Sequence, residues 1–199
     1  MRLKQMLNGK FLLCLGLILS GSLMGCRTAN TSYYPKNRRS GIISQGLQMS
    51  LSVSMAHPAD PGFDIAIQNV GDKDVCLNLG TMLANGKVMF PDKIELNLVD
   101  GHGKSRKLQL TGPGAISGRM DDYVVPLRAG STYTVHLQLD QFWSPGTQEF
   151  AVQLKPGKYE VSAQFQGAGA RTGNNDMEGM KLMNFWKGNL ESNPVFIVE

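Results

Sequence analysis

Residues 47–55, "LQMSLSVSM", alternate without error: Leu47, Met49, Leu51, Val53 and Met55 on one side, Gln48, Ser50, Ser52 and Ser54 on the other. A period of two is the pattern of a strand with one face buried and one in water. It recurs in "FDIAIQNV" (Phe63, Ile65, Ile67), "VCLNLG" (Val75, Leu77, Leu79) and "IELNLVD" (Ile94, Leu96, Leu98). It recurs again in "TYTVHLQLD" (Tyr133, Val135, Leu137, Leu139), "EFAVQL" (Phe150, Val152, Leu154) and "YEVSAQF" (Tyr159, Val161, Ala163, Phe165), and "PVFIVE" closes the chain. Turn residues punctuate these runs at Pro61-Gly62, Asn69 to Asp72, Asp100-Gly101, Ala129-Gly130 and Lys155 to Gly157. Short strands with one apolar face each need a second sheet to cover that face. The pattern therefore predicts an all-β antiparallel sandwich over residues 46–199, with at most a short helical turn in "NDMEGMKLMNFW".

The amino-terminal quarter obeys different rules. "MRLKQMLNGK" is basic, and residues 11–24, "FLLCLGLILSGSLM", form an apolar run of 14 residues. A membrane-spanning helix needs about 20, so the run fits a secretory leader. Residues 1–25 hold Arg2, Lys4 and Lys10, three of the 20 basic residues, and no acidic one, so the remainder carries 17 basic against 16 acidic residues. A chain so close to neutral has no bulk electrostatic claim on nucleic acid. Residues 27–45, "RTANTSYYPKNRRSGIISQ", show no sustained period and read as a flexible spacer whose Lys36, Arg38 and Arg39 are solvated.

The leader ends in Leu23-Met24-Gly25-Cys26, which resembles the lipobox of bacterial lipoproteins. That resemblance implies alkylation of the Cys26 thiol with diacylglycerol, cleavage just before Cys26, and acylation of the new amine. Two or three acyl chains give stable anchoring where one is marginal. Residue 27 is Arg rather than Asp, which in that family implies outer-membrane sorting in a host with two membranes. The expected organisation is a leader over 1–25, a lipidated cysteine and tether over 26–45, and the sandwich over 46–199. Of the three cysteines, Cys14 leaves with the leader and Cys26 becomes a thioether, so Cys76 alone remains and no internal disulfide forms. Cys76 is expected to be a buried, inert thiol.

"FDIAIQNVGDKDVCLNLG" resembles the early strands of bacterial immunoglobulin-like domains, and "VPLRAGSTYTVHLQL" and "LKPGKYEVSAQFQ" resemble the later ones. "FWKGNLESNPVFIVE" is similar to their closing strand. The resemblance implies an immunoglobulin-like fold and no particular activity.

Chemistry-bearing residues are scattered. His57, His102 and His136 sit at no metal-ligand spacing and are expected at the surface. "GAISG" misses the nucleophile-elbow spacing by one residue, which leaves Ser117 without an indicated base. "GNNDMEG" (Gly173 to Gly179) and Asp121-Asp122 read as solvated loops. No cofactor or metal is implied. Trp143 in "DQFWSPG" and Trp186 in "MNFWKG" are each placed in a loop, where they either plug the ends of the sandwich, the preferred reading, or stack on a ligand. The expected function is a lipid-anchored, non-catalytic envelope protein with a binding or structural domain. Its partners are the membrane and an unidentified envelope protein or glycan. The alternatives are a glycan-binding module using Trp143 and Trp186, or a loop-built enzyme or protease inhibitor.

Overall fold

The computed structural model describes residues 41–54, 61–83, 86, 88–112, 118–170, 179 and 182–199. Cys26, the leader, the tether up to residue 40, Met55, His57, Ser117, Met177, Met180 and the Asn174–Glu178 cluster lie outside the described residues. The elements are β1 (Leu47–Ser54), β2 (Gly62–Asn69), β3 (Val75–Leu83), β4 (Met89–Phe90), β5 (Ile94–Asp100), β6 (Ser105–Leu110), β7 (Met120–Leu127) and β8 (Thr132–Gln138). A short 3-10 turn, Leu139–Gln141, leads to β9 (Phe142–Ser144), β10 (Glu149–Phe150), β11 (Lys158–Gly167), β12 (Gly188–Glu191) and β13 (Val195–Val198).

The chain is an all-β antiparallel sandwich. One sheet has the order β1-β2-β8, and the large sheet runs β10-β9-β6-β5-β11-β12, with β13 continuing the β12 side of β11. Taking β1, β2 and β8 as strands A, B and E, and β5, β11 and β12–β13 as C, F and G, gives the immunoglobulin-like order. A third sheet, β4-β3-β7, flanks them. The alternating residues behave as their period requires. Met49, Leu51, Phe63, Ile65, Ile67 and Leu137 bury from the first sheet, and Ile94, Leu96, Leu98, Val161, Ala163 and Phe165 from the large one. Each of these side chains other than Ala163 contributes about 1.5–3 kcal/mol of burial. Tyr159 also joins the core, and its hydroxyl donates to the Lys155 carbonyl oxygen.

The last strand is broken at Ser192–Pro194, and the break closes the sandwich. The Ala163 N–H donates to Ser192 Oγ, and the Ser192 N–H to the Ala163 carbonyl oxygen, so β11 keeps its bonds across the gap. Asn193 takes the Leu51 N–H on Oδ1 and donates to the Leu51 carbonyl oxygen from Nδ2, tying β1 to the opposite sheet.

Three expectations need correction. "EFAVQL" is not one strand: only Glu149–Phe150 pair, Phe150 is 63% exposed, and Val152 alone of the expected pair with it is buried. Gln148 and Ala151 have φ of 54° and 50°, so the chain turns on either side of β10 and the alternation does not carry through. Trp143 lies in a strand, β9, not in a loop. Asp121 and Asp122 lie in β7 rather than a solvated loop, and Asp122 is buried.

Residues 41–45, ahead of β1, also pack against the sandwich. Gly41 is buried, Ser44 bridges Leu47, and Gln48 Nε2 donates to the Gly41 carbonyl oxygen at 2.9 Å. A Cβ at Gly41 would lie 2.3 Å from the Met49 carbonyl oxygen and 2.4 Å from that of Glu191, so only glycine fits there.

Candidate binding surface

Trp186 is a plug. It is 4% exposed, its ring stacks on Phe165 at 5.9 Å between centroids, and Nε1 donates to the Gln45 carbonyl oxygen. Gly167 and Gly188 face each other across β11 and β12 and form the bed for the indole. A Cβ at Gly167 would sit 2.2 Å from the indole ring, and Gly188 has φ of +158°. The stacking reading therefore does not extend to Trp186.

Trp143 is different. Phe142 and Ser144 point into the core, so strand alternation turns Trp143 to the outer face of the large sheet. There it stacks on Phe150, its register partner, at 5.4 Å between centroids and 10° between planes. The two left-handed residues that spoil the "EFAVQL" pattern are what present Phe150 to solvent. A sequence signal for this was absent, because alternation alone places Phe150 with Val152.

The pair begins a row. Register continues from Phe150 to Trp143, Gln109, Glu95, Gln164 and Glu191, one residue per strand across the outer face. Five inter-strand steps of about 4.8 Å make the row roughly 24 Å long. Gln109 Nε2 donates to Glu95 Oε1 at 2.8 Å, and Lys107 Nζ pairs with Glu95 Oε2 at 2.6 Å. Burial pushes the Glu95 carboxyl up, but hydrogen bonds from Lys107 and Gln109 outweigh it and hold it below its ordinary value. On the opposite side of the same sheet edge, in register with the inward-facing Ser144, Glu149 Oε2 takes a bond from Arg106 Nη1 at 3.0 Å. The row ends in an open groove of about 900 Å³ lined by Lys93, Lys107, Gln164, Glu191, Ile42 and Ile43. Two stacked aromatics followed by amides and carboxylates can offer both a face for an apolar ring and partners for hydroxyl groups.

Several other titratable groups are engaged in structure. His136 Nδ1 pairs with Asp64 on the exposed face of β8 and β2. His102 is exposed in a hairpin turn whose Asp100 accepts the His102 and Lys104 backbone N–H groups; the Lys104 bond is the larger cause of a lowered Asp100 carboxyl. Burial pushes the partly buried Cys76 thiol up, away from the thiolate. The Tyr123 and Tyr133 hydroxyls bond each other between β7 and β8, and burial followed by that bond raises Tyr123 well above its ordinary value. Asn78 Nδ2 donates to Asp122 Oδ1 and to the Gly169 carbonyl oxygen, each at 2.9 Å, while Asn78 Oδ1 receives the Gly80 N–H. Among the described residues no three His, Cys, Asp or Glu side chains come together as a metal-binding set. Neither a protein-family model nor a curated protein matches this chain.

Proposed function

We propose that this protein is a lipid-anchored, non-catalytic component of a bacterial cell envelope that holds a β-sandwich binding domain near the membrane. The observation that carries the anchor is Leu23-Met24-Gly25-Cys26 at the end of a 14-residue apolar run that closes on Leu23-Met24. The non-catalytic reading is supported by the commitments of the reactive side chains: Asp122 to Asn78, His136 to Asp64, Tyr123 to Tyr133. Intact-mass measurement of the mature protein should find acyl groups on Cys26. Cys26→Ser should leave the precursor uncleaved and abolish stable membrane attachment. A mature amino terminus elsewhere, free of lipid, would sink the proposal.

A second reading specifies the ligand as an envelope glycan. It is favoured by the Trp143–Phe150 step running on into the Gln109, Glu95, Gln164 and Glu191 row. Sugar rings stack on aromatic faces while their hydroxyls take amide and carboxylate partners. Trp143→Ala should remove retention on immobilised envelope polysaccharide with only a small change in melting temperature. Unchanged retention would leave the sandwich as a module for a protein partner.

A further inference from the structure

Five of the eight exposed large hydrophobic residues described lie at one end of the sandwich: Ile42, Ile43, Val70, Leu182 and Met183. Ile42 is 78%, Ile43 59% and Leu182 88% exposed. Backbone and ring bonds bring their three segments together. The Val70 N–H donates to the Gly46 carbonyl oxygen, Trp186 Nε1 to that of Gln45, and the Cys76 N–H to that of Asn184. Gln45, Gly46, Gly71, Asn184 and Trp186 line one shared recess between these segments. Exposed apolar clusters of this kind mark surfaces that meet something.

We infer that this apolar rim rests on the bilayer, seating the domain on the lipid surface rather than letting it swing free on its tether. The inference rests on the reading of Cys26 as lipidated. Its occupant follows from where the chain goes: the segment leading from Cys26 enters the domain at Gly41, directly before Ile42 and Ile43 of the rim. Fourteen residues, 27–40, lie between Cys26 and Gly41. Fully extended they span at most roughly 50 Å, so the bilayer is always within reach and is presented at high effective concentration. Apolar side chains sink into the boundary between headgroups and acyl chains, and cations beside them pair with anionic headgroups. Lys73 and Lys187 are exposed next to the rim and reach past the exposed Asp72 and Asp74 on their flexible stems. In this pose the β12 side of the large sheet lies near the membrane. The Trp143–Phe150 step, on the opposite edge, faces away from it.

The test uses the full mature lipidated protein in phosphatidylethanolamine–phosphatidylglycerol vesicles. Cys76 is replaced by Ser, or by Ala if the hydroxyl unsettles the fold. An environment-sensitive fluorophore is placed at Ile43→Cys, at Leu182→Cys or at Phe150→Cys, with circular dichroism confirming each fold. Flotation reports the anchor, and iodide quenching reports the rim. The expected result is co-flotation, with blue-shifted emission and a several-fold drop in quenching at positions 43 and 182 but not at 150. Co-flotation with equal quenching at all three positions overturns the seating and leaves the anchor intact. Shielding that grows with the protein-to-lipid ratio reports pairing of copies and overturns it too. Failure to float, with no acyl mass on Cys26, removes the anchor and the seating together.

Discussion

The two tryptophans separate at the scale of single residues, although their sequence surroundings are alike. Trp186 fills the space over Gly167 and Gly188 and stacks on Phe165, so its ring is core. Trp186→Ala should cost about 3–5 kcal/mol, as for other buried aromatics, and lower the melting temperature by several degrees. Trp143→Ala removes a half-exposed ring from an outer face and should cost about 1 kcal/mol, the centre of the range for point substitutions. Chemical denaturation of both variants checks the contrast; equal losses would refute it. The Asn78–Asp122 bond makes a second residue-scale case. Asp122→Ala strands a buried N–H of Asn78, for a cost of about 1–3 kcal/mol. Asp122→Asn keeps an acceptor oxygen and should recover much of that loss in the same denaturation experiment.

At the scale of elements, the β5–β6 pair carries a pH-dependent bond on its outer face. The Glu95 carboxyl is held below its ordinary value by Lys107 and Gln109 against the effect of burial. A carboxyl depressed on folding stabilises the protein above its unfolded pKa, and that contribution disappears as pH falls through the folded one. The pair is partly solvated, so the effect is below about 1 kcal/mol. Glu95→Gln should lower the melting temperature slightly at about pH 7, and the difference should shrink as the pH is lowered below the usual glutamate range. A difference that grows on acidification would reverse the sign and disprove the assignment. The bulge in β3 is a second device of this scale. Register shifts between Asn78 and Gly80, where Gly80 adopts φ of +150° and a Cβ would meet the Phe90 carbonyl oxygen at 2.3 Å. The extra residue turns Asn78 inward, toward Asp122.

For the whole molecule, the segment Gly41–Gln45 decides where the domain starts. Its backbone receives bonds from Gln48 and Trp186, and Gly41 sits between β1 and β12. A chain beginning at Gly46 should therefore melt several degrees below one beginning at Gly41, as read by differential scanning calorimetry. Identical melting temperatures would return these residues to the tether. Were the segment loose, Ile42 and Ile43 would be ordinary tether residues; packed in place, they belong to the rim.

The sequence alone determined the sandwich, because alternation over runs such as 47–53 and 159–165 forces one face of each strand inward whatever the partner. It determined the turns as well: Asn69 and Asp100 each accept the N–H two residues on, which their side chains do locally. It also marked the one cysteine whose context suggests lipid. Tertiary structure decided the rest. β6 and β7 were not legible as strands, since "SRKLQL" is short and "MDDYVVPL" opens on acids and contains Pro126. The exposure of Phe150 depends on two left-handed residues that are not glycine, and the burial of Asp122 depends on a bulge in another strand. The outer-face row exists only once six strands are in register. Ile42 and Ile43 lie in a stretch that reads as spacer, and Val70, Leu182 and Met183 come from distant positions, so the rim was not legible. Period reports which way a side chain points from its own strand; which side chains then share a surface is fixed by pairing across the chain.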